Sequence, residues 1–267
     1  MGIISARFTR EAVDDEQYKF WSAVASSLRL GWLGTDDKER ELRVCQLALF
    51  PMLMNASALQ GDIVSLQSHL NEGADVCVPD NRGRTPLHLA SGEGDVETVK
   101  YLISKGADVN ARDNSGGTAL MDAIRFKNFE AVKYLVCEGA TLEMSELEIG
   151  AEMCCLAYLG HTDQMEAWKL AGVSLNWTDL DGRTPLHVAV CTNQEDVVRY
   201  CLKNGSNIEL RDRFNNRPVD DAQRLGLKNL LRLLYIKAKR LQESASRDVT
   251  EAEEEDSDVD ELASEEV

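Results

Sequence analysis

The side chains here that could move a proton, attack a carbonyl or hold a metal are four histidines (His69, His88, His161, His187) and seven cysteines (Cys45, Cys77, Cys137, Cys154, Cys155, Cys191, Cys201). Zinc needs Cys or His ligands that converge, and the nearest approach is the neighbours Cys154 and Cys155, which point to different sides of a helix. No Cys-x-x-Cys occurs, and His69 and His161 have no spaced partner. A Gly-x-Ser-x-Gly elbow, a phosphate-cradling loop and a paired-carboxylate motif are all missing, so the sequence names no catalytic residue, cofactor or metal. What the histidines show instead is recurrence: His88 and His187 each close the string Thr-Pro-Leu-His, at 85–88 and 184–187.

Those strings lie three steps of 33 residues apart, and the same step carries Asp80 to Asp113, Gly83 to Gly116 and Thr85 to Thr118. Within a unit, Asp80-Asn81-Arg82-Gly83-Arg84 reads as a turn whose glycine takes the positive φ that other residues resist. Thr85 is placed to cap a helix whose first position, Pro86, needs no N–H donor, with Leu87 and Ala90 facing inward. Gly94-Asp95 turns into a second helix carrying Val96, Val99, Leu102 and Ile103, which Gly106 stops. Gly73, Gly139, Gly172 and Gly205 mark the same stop, and Asp212-Arg213-Phe214-Asn215 with Pro218 opens a sixth unit, Asn215 replacing the turn glycine because it tolerates the left-handed region.

This period, turn and Thr-Pro start closely resemble ankyrin repeats. The resemblance implies an all-α solenoid of about six helix-turn-helix repeats with short β-hairpin fingers, in which His88 and His187 tie adjacent hairpins by hydrogen bonds. Such arrays bind proteins on a concave face of fingertips and inner helices.

Three regions depart from the pattern. Residues 1–45 are expected to form an N-terminal helical extension, one helix following Asp14-Asp15-Glu16 and a second following Thr35-Asp36-Asp37. Residues 46–235 hold the repeats, and 236–267 a basic, then acidic tail with too little apolar surface to order itself after about Glu243. In the fourth unit Thr-Pro-Leu-His gives way to Ala151-Glu152-Met153-Cys154, and Ser145-Glu146-Leu147-Glu148 has the spacing of a capping box. A longer first helix from about Glu146 to Leu159 is expected there in place of the finger.

The formal net charge is −17, yet eleven carboxylates fall in the last twenty residues, leaving about −6 on the rest. That balance disfavours nucleic acid and anionic membrane as partners. The cysteines, odd in number and mostly at apolar helical positions, read as small buried hydrophobes of a reducing compartment. No run approaches membrane-spanning length, so a cytoplasmic location is expected, with the nucleus also open.

A narrower resemblance rests on three stretches: Leu47-Ala48-Leu49-Phe50-Pro51 with Ala56 and Gly61-Asp62; Ser145 to Glu148 through Glu152-Met153-Cys154 and Leu156-Ala157-Tyr158; and Trp168 before Ala171-Gly172. Over residues 16–235 these look like the C-terminal region of animal cytoplasmic L-asparaginase/lysophospholipase proteins. That family's threonine nucleophiles sit on Gly/Thr-rich loops after strands, and no such block precedes the repeats, so no catalytic residue carries over. Gly116-Gly117-Thr118 is the repeat's own turn, and Gly34-Thr35-Asp36 reads as a helix cap.

Two functions follow as expectations. One is a non-catalytic scaffold binding protein partners. The other is a truncated or split asparaginase/lysophospholipase-like polypeptide whose repeats regulate or assemble a catalytic domain. The candidate contact residues are Arg82, Arg84, Glu93, Ser115, Arg125, Phe126, Tyr158, Asp181, Arg183, Arg213 and Phe214. Their arginines would form a basic strip for an acidic peptide, a partner's or the chain's own tail.

Overall fold

The computed structural model of the chain describes residues 49–243. Within them the backbone forms twelve helices and no strand, only an isolated bridge between Arg112 and Thr118. The helices are α1 (49–60), α2 (Ile63–Asn71), α3 (Pro86–Glu93), α4 (Val96–Ser104), α5 (Ala119–Arg125), α6 (Phe129–Cys137), α7 (Glu146–Leu159), α8 (Thr162–Leu170), α9 (Pro185–Cys191), α10 (Glu195–Lys203), α11 (Pro218–Arg224) and α12 (228–243). None is long and apolar enough to cross a membrane. The expected N-terminal helices and the tail beyond residue 243 lie outside the described residues, while α12 runs past the boundary set at 235.

The chain divides into two compact units between Leu142 and Glu143. In each, first helices pack on first helices and second on second: α3 on α5 and α4 on α6 in one, α7 on α9, α9 on α11 and α8 on α10 in the other. A helix of seven to nine residues is too short to persist alone in water, so these contacts create it. The first unit buries Met54, Leu66, Leu87, Leu102, Leu120 and Leu135, and the second Ile149, Met153, Met165, Leu186, Val198 and Leu230.

The irregular unit folds as its sequence indicates. Ser145 Oγ accepts from Glu148 N at 3.2 Å while Glu148 Oε2 accepts from Ser145 N at 2.9 Å, and α7 then runs fourteen residues. Helix α7 also contains Gly150, against which the backbone of Thr178 rests. A Cβ there would stand 2.7 Å from the Thr178 carbonyl carbon and 2.9 Å from its nitrogen, so no other residue fits without displacing the loop. Asn215 takes a φ of 66°, the left-handed geometry expected of it.

The cysteines differ from expectation. Of the six described, Cys154 and Cys201 are buried, Cys77 is half-buried, and Cys137, Cys155 and Cys191 are exposed, all as free thiols. Helical spacing placed them at apolar-looking positions, but a narrow helix pair buries only the stripe facing its neighbours.

Candidate protein-binding surface

Each finger is closed by its own aspartate. Asp80 Oδ1 accepts from the backbone N–H of Arg82 and Arg84 at 2.8 and 2.9 Å, and Asp179 Oδ1 does the same for Asp181 and Arg183. Fingers are then tied to the preceding helix by a recurring bond that spans 29 residues of the chain. His88 Nε2 meets Gly117 O at 3.1 Å and His187 Nε2 meets Asn216 O at 3.1 Å. In both, the N–H of the preceding threonine points at Nδ1, at 3.1 and 3.2 Å. A backbone N–H can only donate and a carbonyl only accept, so both rings are held as the neutral Nε2–H tautomer. The tie expected of these histidines is present.

Two further residues occupy the same place one repeat step away. Asn55 Nδ2 lies 3.5 Å from Arg84 O, and Cys154 Sγ donates to Arg183 O at 3.3 Å. Burial, and then the charge of Asp179, push the Cys154 thiol up to about 12, which keeps the proton this bond needs. On the loop side, Asn110 joins Gly139 O and Thr141 N, and Asn176 accepts from Asn207 N at 2.8 Å. Cys77, in the asparagine's register, accepts from Asp108 N at 3.4 Å.

In the first unit the candidate residues form two clusters. Arg82 and Ser115 are exposed on neighbouring fingers, joined by a backbone bond from Asn114 N to Arg82 O at 2.8 Å. Arg84 is folded back on Asp80 at 3.0 Å. At the end of α5, Arg125 lies 3.7 Å from Asp122, and the exposed Phe126 ring lies over Gly92, beside Glu93. Burial raises the Asp122 carboxyl against the opposing pull of Arg125. Nothing in the repeat spacing had singled out Asp122, because its burial comes from packing.

In the second unit Tyr158, Asp181 and Arg183 line one open cleft of about 450 Å³ with Ala151, Cys155 and Leu180. Arg183 pairs with Asp179 at 2.9 Å and Asp181 at 3.2 Å, and Arg213 pairs with Asp181 at 2.7 Å while its guanidinium lies 4.7 Å from the Phe214 ring centroid. Apolar surface is exposed in the cleft at Tyr158 (60%) and Leu180 (82%), and on the following finger at Phe214 (66%). Leu180 and Cys155 were missed in the sequence. Superposing the units at 33 residues puts Leu180 where Asn81 and Asn114 stand, and that apolar residue at a fingertip was the available signal.

The expected basic strip therefore differs from the structure in one respect. Arg84, Arg125, Arg183 and Arg213 each hold a carboxylate of their own fold, and among the described residues only Arg82 of the five has no carboxylate partner. No group of His, Cys, Asp and Glu among the described residues could hold a metal ion.

Residues 53–145 match the family model for ankyrin repeats (3 copies), and residues 181–213 match that for a single ankyrin repeat. The stretch between them, unmatched, is the irregular unit with α7. The chain is 33% identical over 191 residues to an L-asparaginase of Dirofilaria immitis, covering 72% of this chain and 32% of that protein. It is 52% identical over 172 residues to a 60 kDa lysophospholipase of Homo sapiens, covering 64% and 30%. A potassium channel, KOR2, of Oryza sativa subsp. japonica is 48% identical over 183 residues, covering 68% and 25%. The chain thus spans about a third or less of these relatives' length. Its matched segments, its 33-residue ties and its stacked helix pairs agree: this is an ankyrin-repeat chain, similar over about 70% of its length to L-asparaginase and 60 kDa lysophospholipase proteins.

Proposed function

We propose that this chain works by recognising a protein partner, not by turnover, and that the cleft of the second unit is the anchor point. The observation that carries this is the chemistry of the cleft. Its charged groups satisfy one another, while Tyr158 and Leu180 leave apolar surface in water within a concave site and Phe214 adds more on the following finger, the combination from which interface anchors are built. A bulky apolar side chain on a partner fits better than the acidic peptide first expected, since Arg183 and Arg213 would have to leave Asp181 to receive it. Arg82, Ser115, Glu93, Arg125 and Phe126 of the first unit are proposed as auxiliary contacts. The relatives support a binding role in general terms: proteins named as a hydrolase and as an ion channel share this segment, so the shared part is independent of either chemistry.

The test compares proteins retained from cytosol by the intact chain, by a Tyr158→Ala/Leu180→Ala variant and by a Val64→Ala control, Val64 being an exposed apolar residue of the first unit. Loss of a retained set by at least about 10-fold in the double variant alone is expected, which is about 1.4 kcal/mol of binding energy. Equal retention by all three overturns the assignment.

A second reading is favoured by the names L-asparaginase and 60 kDa lysophospholipase, and by the fraction of those proteins that is matched. In it the repeats regulate or assemble an amidohydrolase domain. Asparagine hydrolysis by the purified chain, or a changed rate of such a domain when the chain is added, selects this reading.

A further inference from the structure

Apart from the cleft, the last described helix presents a surface that the other described residues leave electrically unmatched. Helix α12 carries Lys228, Arg232, Lys237, Lys239 and Arg240 against a single acid, Glu243, which pairs with Lys239 at 3.8 Å. Lys228, Arg232, Ile236 and Arg240 follow one another at steps of four, so all lie on one face, and all four are exposed. Tyr235 is 54% and Ile236 41% exposed between the cations, so the stripe is both basic and apolar. The inner face, Leu230 and Leu234, is buried. Lys228, Arg232 and Arg240 have no carboxylate partner among the described residues, in contrast to Arg183 and Arg213. The like charges of Lys228 and Arg232, one turn apart, repel each other on the helix surface.

The chain supplies a complement. Immediately after α12, residues 244–267 hold eleven carboxylates and one cation, Arg247, with Val249, Val259, Leu262 and Val267 interspersed. We propose that this acidic segment folds back onto the Lys228–Arg232–Ile236–Arg240 stripe of α12, matching its cations and covering Tyr235 and Ile236. Reach is sufficient: twenty-four residues extend up to about 80 Å, whereas the sixteen residues of α12 span about 24 Å. Tethering makes the segment the favoured occupant over any free polyanion, because its effective concentration at the stripe is of millimolar order. Phosphorylation of Ser257, which is followed by Asp258 and Asp260, would add about −1.5 to −2 of charge and tighten the docking.

The experiment is zero-length carbodiimide cross-linking of the full chain, which condenses a carboxylate with a lysine amine with loss of water, followed by peptide mass spectrometry. Links from the acidic segment to Lys228, Lys237 and Lys239 are expected to exceed those to Lys100, Lys105, Lys133 and Lys203 by at least about 5-fold, given the tethered concentration. The excess should collapse at 1 M salt, where screening acts within about 3 Å. It should also collapse in Arg232→Glu/Arg240→Glu and in Glu253→Lys/Glu254→Lys/Glu255→Lys, the latter leaving every described residue intact. Proximity along the chain alone would favour Lys239 and ignore salt and both variants, and that pattern overturns the proposal. So do links found only between differently isotope-labelled molecules, which would assign the stripe to a second copy, or a stripe that captures DNA with no links to the segment.

Discussion

His187 uses both ring nitrogens at once, and only a neutral ring can do so. Protonated, its Nδ1 would turn an N–H toward the N–H of Thr184. Burial holds its pKa below the ordinary 6.5, outweighing the contrary pull of the Asn216 carbonyl and of Asp212, Asp221 and Asp179. With the folded value depressed, the unfolded chain binds the extra proton first. The stability this ring contributes is complete above pH 6.5 and is lost as pH falls from there through the folded value. Urea midpoints should be lower at pH 5.5 than at pH 7.5, part of the drop coming from His69, whose pKa burial also lowers. His187→Gln should shrink the difference, and an unchanged slope would remove His187 from the account. Cys154 performs the same task without titrating in that range. Cys154→Ala should cost about 1–2 kcal/mol and Cys154→Ser less, since a hydroxyl still donates to Arg183 O. The histidines were legible because Thr-Pro-Leu-His repeats, whereas the role of Cys154 was hidden: the sequence showed only that a thiol stood where histidine had been.

Helix α7 shows what is readable at the scale of an element. Its start and length follow from neighbours in the chain, Ser145 with Glu148 and then an apolar run, and the structure reproduces Glu146 to Leu159. Ser145→Ala should lower stability by about 1 kcal/mol in chemical denaturation. Gly150 was not readable, because its constraint comes from Thr178, 28 residues on, and a glycine inside a helical pattern looks like a weakness. By propensity, Gly150→Ala should gain up to about 1 kcal/mol. The backbone of Thr178 reverses the sign: a net loss of about 1–3 kcal/mol is expected from the overpacked contact, read as a lower denaturation midpoint. A stabilised variant would show that the loop yields. The fingertip ion pairs are a middle case. Asp80 with Arg84 and Asp179 with Arg183 sit four apart in plain view, but that each aspartate also organises two backbone N–H groups of its own turn appears only in three dimensions.

For the molecule, stability is a chain of neighbour terms, so removing ties should change how unfolding cooperates and not merely where it occurs. The Cys154→Ala/His187→Ala variant loosens the repeat beginning at Thr184 on both sides. Its urea transition should show a smaller slope as well as an earlier midpoint, because the last helices of the second unit then melt apart from the rest. A parallel shift at constant slope would mean that the ties are not what couples the repeats. Period and turn chemistry made the array legible from 33-residue spacing alone, while the apolar cleft was not, since it depends on Tyr158 and Leu180 meeting across two repeats. The unlike chemistry of the two joints also sets an order of disassembly. Mild acidification would unlatch the ring that grips Asn216 while the thiol still holds Arg183, so within the second unit the helices from Pro218 onward would be shed before the joint beside the cleft gives way.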